Sequence, residues 1–271
     1  LGGLLRFQNE DLVAARNQLG QMATALSTAV NAQQALGLDL RTPAGSGGPL
    51  LAVGAPTALP ASTNGRDAAG NFISRVSLAV VDAQALEASE YALRNDPANA
   101  GSYLITRLSD GLERSIASGD TVDGLTVTVG APAPAATDRF LLQPLTRAAN
   151  EMRSVMSDPR GLAAASPLEA VRDVANAGTA RVAALTIADA SVNPQLTASI
   201  DFSDANGSYG WTLRDRTTNA LVSSGTGSWS AGVPITLNGF ELQLDGVPAA
   251  GDTFSVARTA SPQASNGNAL A

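Results

Sequence analysis

The spacing nearest to a metal site is Asp204-Ala-Asn206-Gly207. A calcium loop of that type needs an acidic ligand two residues before Asp204 and a bidentate glutamate six residues after the glycine, because a hard cation takes six or more oxygens. Those places hold Phe202 and Leu213, so the stretch reads as a hairpin turn. Gly225-Thr-Gly227-Ser-Trp-Ser230 begins like a phosphate-binding loop, but no lysine and no opening helix follow it. Glu87 and Glu90 have the types needed for a general acid–base pair. Such a pair works only where the surroundings drive the two carboxyls apart in acidity. Nothing nearby predicts burial, and both read as solvated surface charges. The chain has no histidine, so a serine nucleophile would need a serine–lysine dyad, which no context here suggests. Asn206-Gly-Ser208 fits a glycosylation sequon at the level expected by chance. Trp211 and Trp229 flank a hairpin and read as core or cross-strand residues rather than a ligand platform.

With no catalytic constellation, the sequence reads as a non-enzyme without cofactor or metal, and composition narrows it further. The 271 residues suffice for two modest domains and a stalk. Hydrophobic residues make up 44% but aromatics only 4%, which predicts a thin aliphatic core. The net charge is −7, from 17 basic and 24 acidic residues, with no basic run. Nucleic acid is an unsuitable partner for such a surface. Cysteine is absent, so no disulfide framework exists. No stretch approaches the ~20 apolar residues of a membrane helix. The chain begins at Leu1 and reads as an interior piece of a longer protein; a signal peptide is neither visible nor excluded.

What remains is surface and architecture, beginning with Leu4 to Leu36. Leu5, Leu12, Leu19 and Leu26 stand seven apart, and Ala15, Met22 and Ala29 follow the last three of them by three residues. That a/d pattern predicts a coiled-coil helix roughly 50 Å long. One helix cannot bury its own seam, and no second heptad segment of that length appears in the chain. The predicted partner helices therefore lie in another segment or another subunit. The plainer reading is a domain helix packed on the local β structure.

Gly37 is a plausible helix stop, and Arg41 to Pro49 reads as a linker. Short strands are predicted at Leu50 to Val53, Val76 to Val81, Glu90 to Arg94, Tyr103 to Leu108, Leu125 to Val129 and Arg139 to Gln143, with turns at Asp110-Gly111 and Asp123-Gly124. The layout then recurs. Tyr103 follows Arg75 by 28 residues, as Tyr209 follows Arg181. Asp123-Gly-Leu-Thr-Val-Thr-Val matches Asn238-Gly-Phe-Glu-Leu-Gln-Leu, and Thr137-Asp-Arg-Phe matches Gly251-Asp-Thr-Phe. The second copy carries a longer hairpin, Thr217 to Ile235. Between the copies, Asp158-Pro159 predicts a short helix to Ala165, and Leu168 to Ala175 a further helical turn. The expected fold class is α+β, a long N-terminal coiled-coil-type helix followed by two mainly antiparallel β units related by internal duplication. The expected divisions are a helical rod segment (1–40), a linker with a short strand (41–74), a first β unit with a trailing short helix (75–168), a second β unit (169–260) and an exit segment (261–271).

The opening Leu1-Gly-Gly-Leu-Leu-Arg-Phe7, with Asp11-Leu12, Arg16-Asn-Gln-Leu19 and Asn31-Ala-Gln33 ahead of Gly37 and Asp39, resembles the hook-associated protein 1 family of the bacterial flagellum. Leu51 to Pro56, Asp123 to Pro132, Asp138-Arg-Phe140, Asp158-Pro159, Ala163 to Pro167 and Ser265 to Leu270 resemble the same family. The resemblance implies a structural component, exported unfolded through the flagellar type III apparatus, that joins hook to filament outside the cell. It implies self-association in a ring in the full-length protein, the hook protein and hook-associated protein 3 as neighbours, and a cytoplasmic export chaperone. It implies no nucleic acid and no membrane as partners. A fragment without the polymerising terminal helices is expected to be monomeric. Leu5, Leu12, Ala15, Leu19, Met22, Leu26 and Ala29 are then the expected interaction seam. Competing readings are another axial protein, such as flagellin or hook-associated protein 3, or an extracellular adhesin module.

Overall fold

The structure is a computed structural model that describes residues 2–270, so Leu1 of the opening motif and Ala271 of the exit segment lie outside it. The first segment is helical from Gly2 to Ala35 in three consecutive parts: α1 (Gly2–Arg6), a π turn (Phe7–Asp11) and α2 (Leu12–Ala35). Alanine, leucine, glutamine and methionine favour the helix, and no proline interrupts it. The π turn takes more residues per turn than an α-helix. Leu5 is therefore rotated out of line with the stripe that runs on from Leu12, a correction to the seven-residue spacing read from sequence. The helix ends where the Leu36 and Gly37 amides donate to the Gln33 and Gln34 carbonyls.

The described chain forms two compact units, residues 1–30 with 51–155 and residues 31–50 with 156–271. In the first, β1 (Leu51–Ala52) pairs antiparallel with β10 (Arg153–Ser154). Between them lie β2 (Thr57–Pro60), β3 (Val76–Val80), β4 (Tyr91–Asn95), β5 (Tyr103–Arg107), β6 (Glu113–Ile116), β7 (Thr121–Val122), β8 (Leu125–Val129) and β9 (Arg139–Gln143). The second unit holds β11 (Leu168–Arg172), β12 (Arg181–Ile187), β13 (Leu196–Phe202), β14 (Ser208–Asp215), β15 (Leu221–Ser228), β16 (Ile235–Leu237), β17 (Phe240–Asp245), β18 (Thr253–Arg258) and a last helical turn, α3 (Gly267–Leu270).

The internal duplication is visible in the strand order. The first unit has a sheet β2-β9-β4-β5-β6 and a sheet β3-β8-β7; the second has β11-β18-β13-β14-β15 and β12-β17-β16. Each strand of these two sheets has its counterpart at the same place in the other unit, the β1–β10 pair alone standing outside the repeat among the described strands, and every pairing is antiparallel. Alternate side chains turn inward between the two sheets of each unit, as the period of a strand requires. Tyr91, Leu93, Ile105, Leu125, Phe140 and Leu142 fill the first core. Ile200, Phe240, Leu242, Phe254 and Val256 fill the second, where Phe202 meets the rings of Tyr209, Trp229 and Phe254 at centroid distances of 5.8, 6.2 and 6.0 Å. Each such side chain contributes ~1.5–3 kcal/mol on leaving water.

The turns repeat as well. Asp123-Gly124 and Asn238-Gly239 both lie in the left-handed region, with φ of 49° and 75° and of 44° and 75°. That is the turn Asp-Gly and Asn-Gly make between twisted strands. The carbonyls of Gly124 and Gly239 each accept two amides from the chain leaving the unit's first inner strand, Val81 with Asp82 and Ala188 with Asp189.

Two helical expectations fail. Leu168 to Ala175 is not a helical turn: Leu168–Arg172 is strand β11, paired with β18, with Leu168 facing the core. Strand pairing outweighs local helix preference there. The helix expected from Pro159 to Ala165 shrinks to the 3₁₀ turn Pro159–Gly161, capped by the Asp158 carboxylate on the Arg160 amide at 3.0 Å. The sheets also begin earlier than the sequence suggests: the first takes an outer strand from Thr57–Pro60, in the stretch read as a linker with one short strand at Leu50 to Val53.

Candidate assembly surface

Helix α2 has its polarity inverted. Leu12, Ala15, Leu19, Met22, Leu26 and Ala29 are exposed, and so is Leu5 on α1. Leu19 and Met22 stand 58% and 68% open to solvent. The buried positions are instead polar or small: Asn17, Gly20, Ala23, Thr24, Ser27 and Gln34. Gly20 lies against the Leu145 carbonyl, leaving no room for a side chain. Thr24 donates to the Gly20 carbonyl at 2.8 Å, Gln21 to the Leu86 carbonyl, and Ser27 to the Leu51 carbonyl at 3.3 Å. The helix thus docks by close backbone approach and hydrogen bonds. Its apolar stripe is left over, the reverse of an ordinary domain helix.

Beside that stripe, within the first unit, runs an open groove of about 660 Å³ lined by Leu12, Ala15, Arg16 and Leu19 and by residues of the 146–151 loop. Arg147 and Glu151 form an ion pair on the loop side, while Arg16 forms no ion pair among the described residues. A wall of leucine and alanine facing a polar rim has the shape and chemistry that accept the apolar face of another helix.

In the second unit a polar knot closes the end of α2. Gln34 donates to the Gly161 carbonyl at 2.8 Å and accepts from the Ala163 amide at 3.2 Å. Gln33 donates to the Asn268 side-chain oxygen at 2.8 Å, and Asn268 returns a hydrogen bond to the Gln33 carbonyl at 3.2 Å and another to the Ala163 carbonyl. Asn31 accepts from the Leu50 amide at 2.8 Å, and Asp39, 3% exposed, accepts from the Gly45 amide at 2.9 Å. Asn31, Gln33 and Asp39, which carry part of the family resemblance, each fix a bend or an end of the chain.

The residues considered for chemistry are accounted for locally. The Asp204 carboxylate is taken up by the amides of Asn206 and Ser208, at 2.8 and 3.0 Å, closing its own turn. Gly225 and Gly227 lie within strand β15. Glu87 is exposed, 3.8 Å from Arg107. Glu90 departs from the solvated charge expected: it is half-buried and accepts from Gln143 and Thr146 at 2.8 and 3.0 Å. Trp229 is buried, and Trp211 crosses from β14 onto Gly225 of β15. All 17 cationic residues are arginines, so the chain contains no lysine to serve a serine dyad.

A pair of clamps, one per unit, escaped the sequence reading. Asn64 and Arg139 exchange two hydrogen bonds of 2.9 Å, side chain to backbone in both directions. Asn176 and Thr253 do the same at 2.8 Å. Next to each, a buried aspartate gathers amides: Asp138 those of Gly65 and Ala135, Asp252 those of Ala177, Gly178 and Ala249. Burial pushes the Asp252 carboxyl up, but the amides outweigh it and hold it below the usual 3.8. The signal was present in the matched Asp138 and Asp252. Their asparagine partners carried no such signal: Asn64 falls in the stretch read as linker with a short strand, and Asn176 just beyond the helical turn expected at Leu168 to Ala175.

Residues 1–50 match the family described as the flagellar hook-associated protein FlgK helical domain, and residues 62–144 the D2-like domain of flagellar hook-associated protein 1. Flagellar hook-associated protein 1 of Escherichia coli K12 is 33% identical over 174 residues, 63% of this chain and 30% of the relative. That of Salmonella typhimurium LT2 is 33% identical over 178 residues, 64% of this chain and 30% of the relative. The flagellar hook junction protein FlgK of Burkholderia pseudomallei superposes with a TM-score of 0.75 at 26% identity, covering 99% of this chain and 52% of that structure. The chain spans less than a third of the length of these curated relatives and about half of the solved one.

Proposed function

We propose that the chain belongs to the flagellar hook-associated protein 1 family and is part of a structural protein joining the hook of the bacterial flagellum to its filament. The observation that carries the reading is the inverted helix. A stripe of leucine, methionine and alanine lies open along α2 beside a groove, on the segment that matches the family's helical domain. Leaving six such side chains in water forfeits ~1–2 kcal/mol each, so the stripe is made to be covered. In the full-length protein the seam is filled by helices of the rod, and copies then associate in a ring. Hook protein and hook-associated protein 3 are its neighbours, a cytoplasmic chaperone accompanies export, and the role is mechanical rather than catalytic. The place is extracellular, on the flagellum, reached through the flagellar type III apparatus. The absence of cysteine suits passage as an unfolded chain, since no disulfide has to be reduced first.

Immunogold electron microscopy of intact flagella, with antibodies raised against residues 51–258, tests this. One band of label at the hook–filament boundary is the expected result. Label along the whole filament would assign the chain to a filament protein, and label absent from flagella would overturn the reading.

A further inference from the structure

Because the two units share one topology, their outer strands can be compared place for place. In the first unit the outermost strand is β6, four residues reading Glu-Arg-Ser-Ile. Its rim is charged, with Glu113 paired to Arg94 at 3.1 Å. Its counterpart β15 has eight residues, Leu221-Val-Ser-Ser-Gly-Thr-Gly-Ser228, with neither charge nor proline. Short length, charge and proline are the devices that stop an edge from pairing with another chain. β15 carries none of them, and among the described residues no strand covers its outer side.

The strand behind it is matched to this edge. Tyr209 pairs with Gly227 and Trp211 with Gly225. A Cβ added at Gly225 would come within 2.7 Å of Trp211 Cζ2, and one at Gly227 would collide with the Tyr209 ring. Both rings therefore lie across the glycine backbone and reach the rim of the sheet, each still half-buried. Leu221 and Val222 extend the apolar rim and are 54% and 57% exposed.

We propose that β15 is an interface between two copies of this chain, joined antiparallel, edge to edge, about a twofold axis normal to the sheet. A second copy suits the edge better than an unrelated extended peptide for two reasons. The chain carries a net charge of −7, so most of its surface repels another copy, whereas this rim opposes no charge to its equivalent. A twofold axis in that direction also keeps the ring-bearing faces on one side. Tyr209 and Trp211 of one copy then continue the row of the other across a seam lined by glycine. A strand pair of this length falls below the ~1,200 Å² of a standard interface, so the association is weak and the chain is monomeric at low concentration. A twofold contact closes on itself. It is separate from any contact that repeats around a ring, and it stands whether or not the junction role holds.

Sedimentation velocity from low-micromolar to near-millimolar concentration tests the pairing, using the parent chain with Ser224→Lys and Thr226→Lys. Both positions are exposed, on the face of β15 away from the rings. The expected result is a concentration-dependent rise in sedimentation coefficient for the parent and a dissociation constant about tenfold weaker in each variant, since like charges then face each other across the seam. Unchanged tryptophan fluorescence certifies that the variants are folded. Amide exchange at high concentration is expected to slow at alternate residues of Leu221–Ser228. A parent chain that stays monomeric throughout overturns the proposal. So does a dimer that both lysine variants form equally well with β15 unprotected.

Discussion

Asp252 shows how much one side chain can hold. It is 1% exposed and accepts three amides, from Ala177, Gly178 and Ala249, so replacing it leaves buried donors without an acceptor. Asp252→Ala is expected to destabilise the second unit by about 3 kcal/mol. Both tryptophans lie in that unit, so their fluorescence during urea unfolding reads the change directly. Asp138→Ala, its counterpart in the first unit, is expected to leave the tryptophan transition in place; a shift of similar size would show that the units do not unfold independently. Asp96 makes a pH prediction. The Asn99 side chain, the Ser115 hydroxyl and the Ala98 amide hold its carboxyl at about 2, below the ordinary 3.8. A carboxyl lowered by folding contributes stability above its unfolded value and loses it as pH falls through the folded one. The parent protein should therefore lose stability between about pH 4 and about pH 2, and Asp96→Asn should show a shallower loss across that window in urea midpoints.

At the scale of elements, the packing of α2 depends on a residue that weakens an isolated helix. Gly20 faces the Leu145 carbonyl with no space for a methyl group, so the preference of a helix for alanine is reversed there. Gly20→Ala is expected to lower stability by about 1–3 kcal/mol, through the shift the overpacked backbone must make, as thermal unfolding will report. Nothing in the sequence marks Gly20 as a packing site, because composition cannot show what lies opposite. The same limit runs through the β units. Strands β3, β4, β5, β8 and β9 were legible to within a residue or so, since period-two alternation and Asp-Gly turns mark them locally. Strand β11 was not, because Leu-Glu-Ala-Val-Arg has good helix formers and becomes a strand only through its partner β18. Strand β6 was missed for the converse reason: Glu113-Arg-Ser-Ile has little alternation to see, and pairing with β5 alone defines it. The apolar stripe of the helix was readable, being a matter of spacing. That its opposite face packs through Asn17, Thr24 and Ser27 was not, because small polar residues carry no periodic signal of burial.

For the whole molecule, the seam separates two properties that usually change together. Leu19→Glu and Leu26→Glu alter side chains 58% and 54% exposed, so each should change the melting behaviour of this chain by no more than ~0.5 kcal/mol. On the proposed junction role, the same changes in the full-length protein should prevent stable placement at the hook–filament boundary, seen as loss of the immunogold band. Normal junctions in both variants would place the working surface elsewhere. The knot between Gln33 and Asn268 has a different bearing. These two residues are 235 positions apart in sequence and hydrogen-bonded to each other. The whole excursion of strands between them begins and ends at one spot, like a bead threaded on a loop whose stem is already tied. An insertion at an exposed turn of that bead, such as the one between β14 and β15, therefore leaves both ends of the excursion where they are.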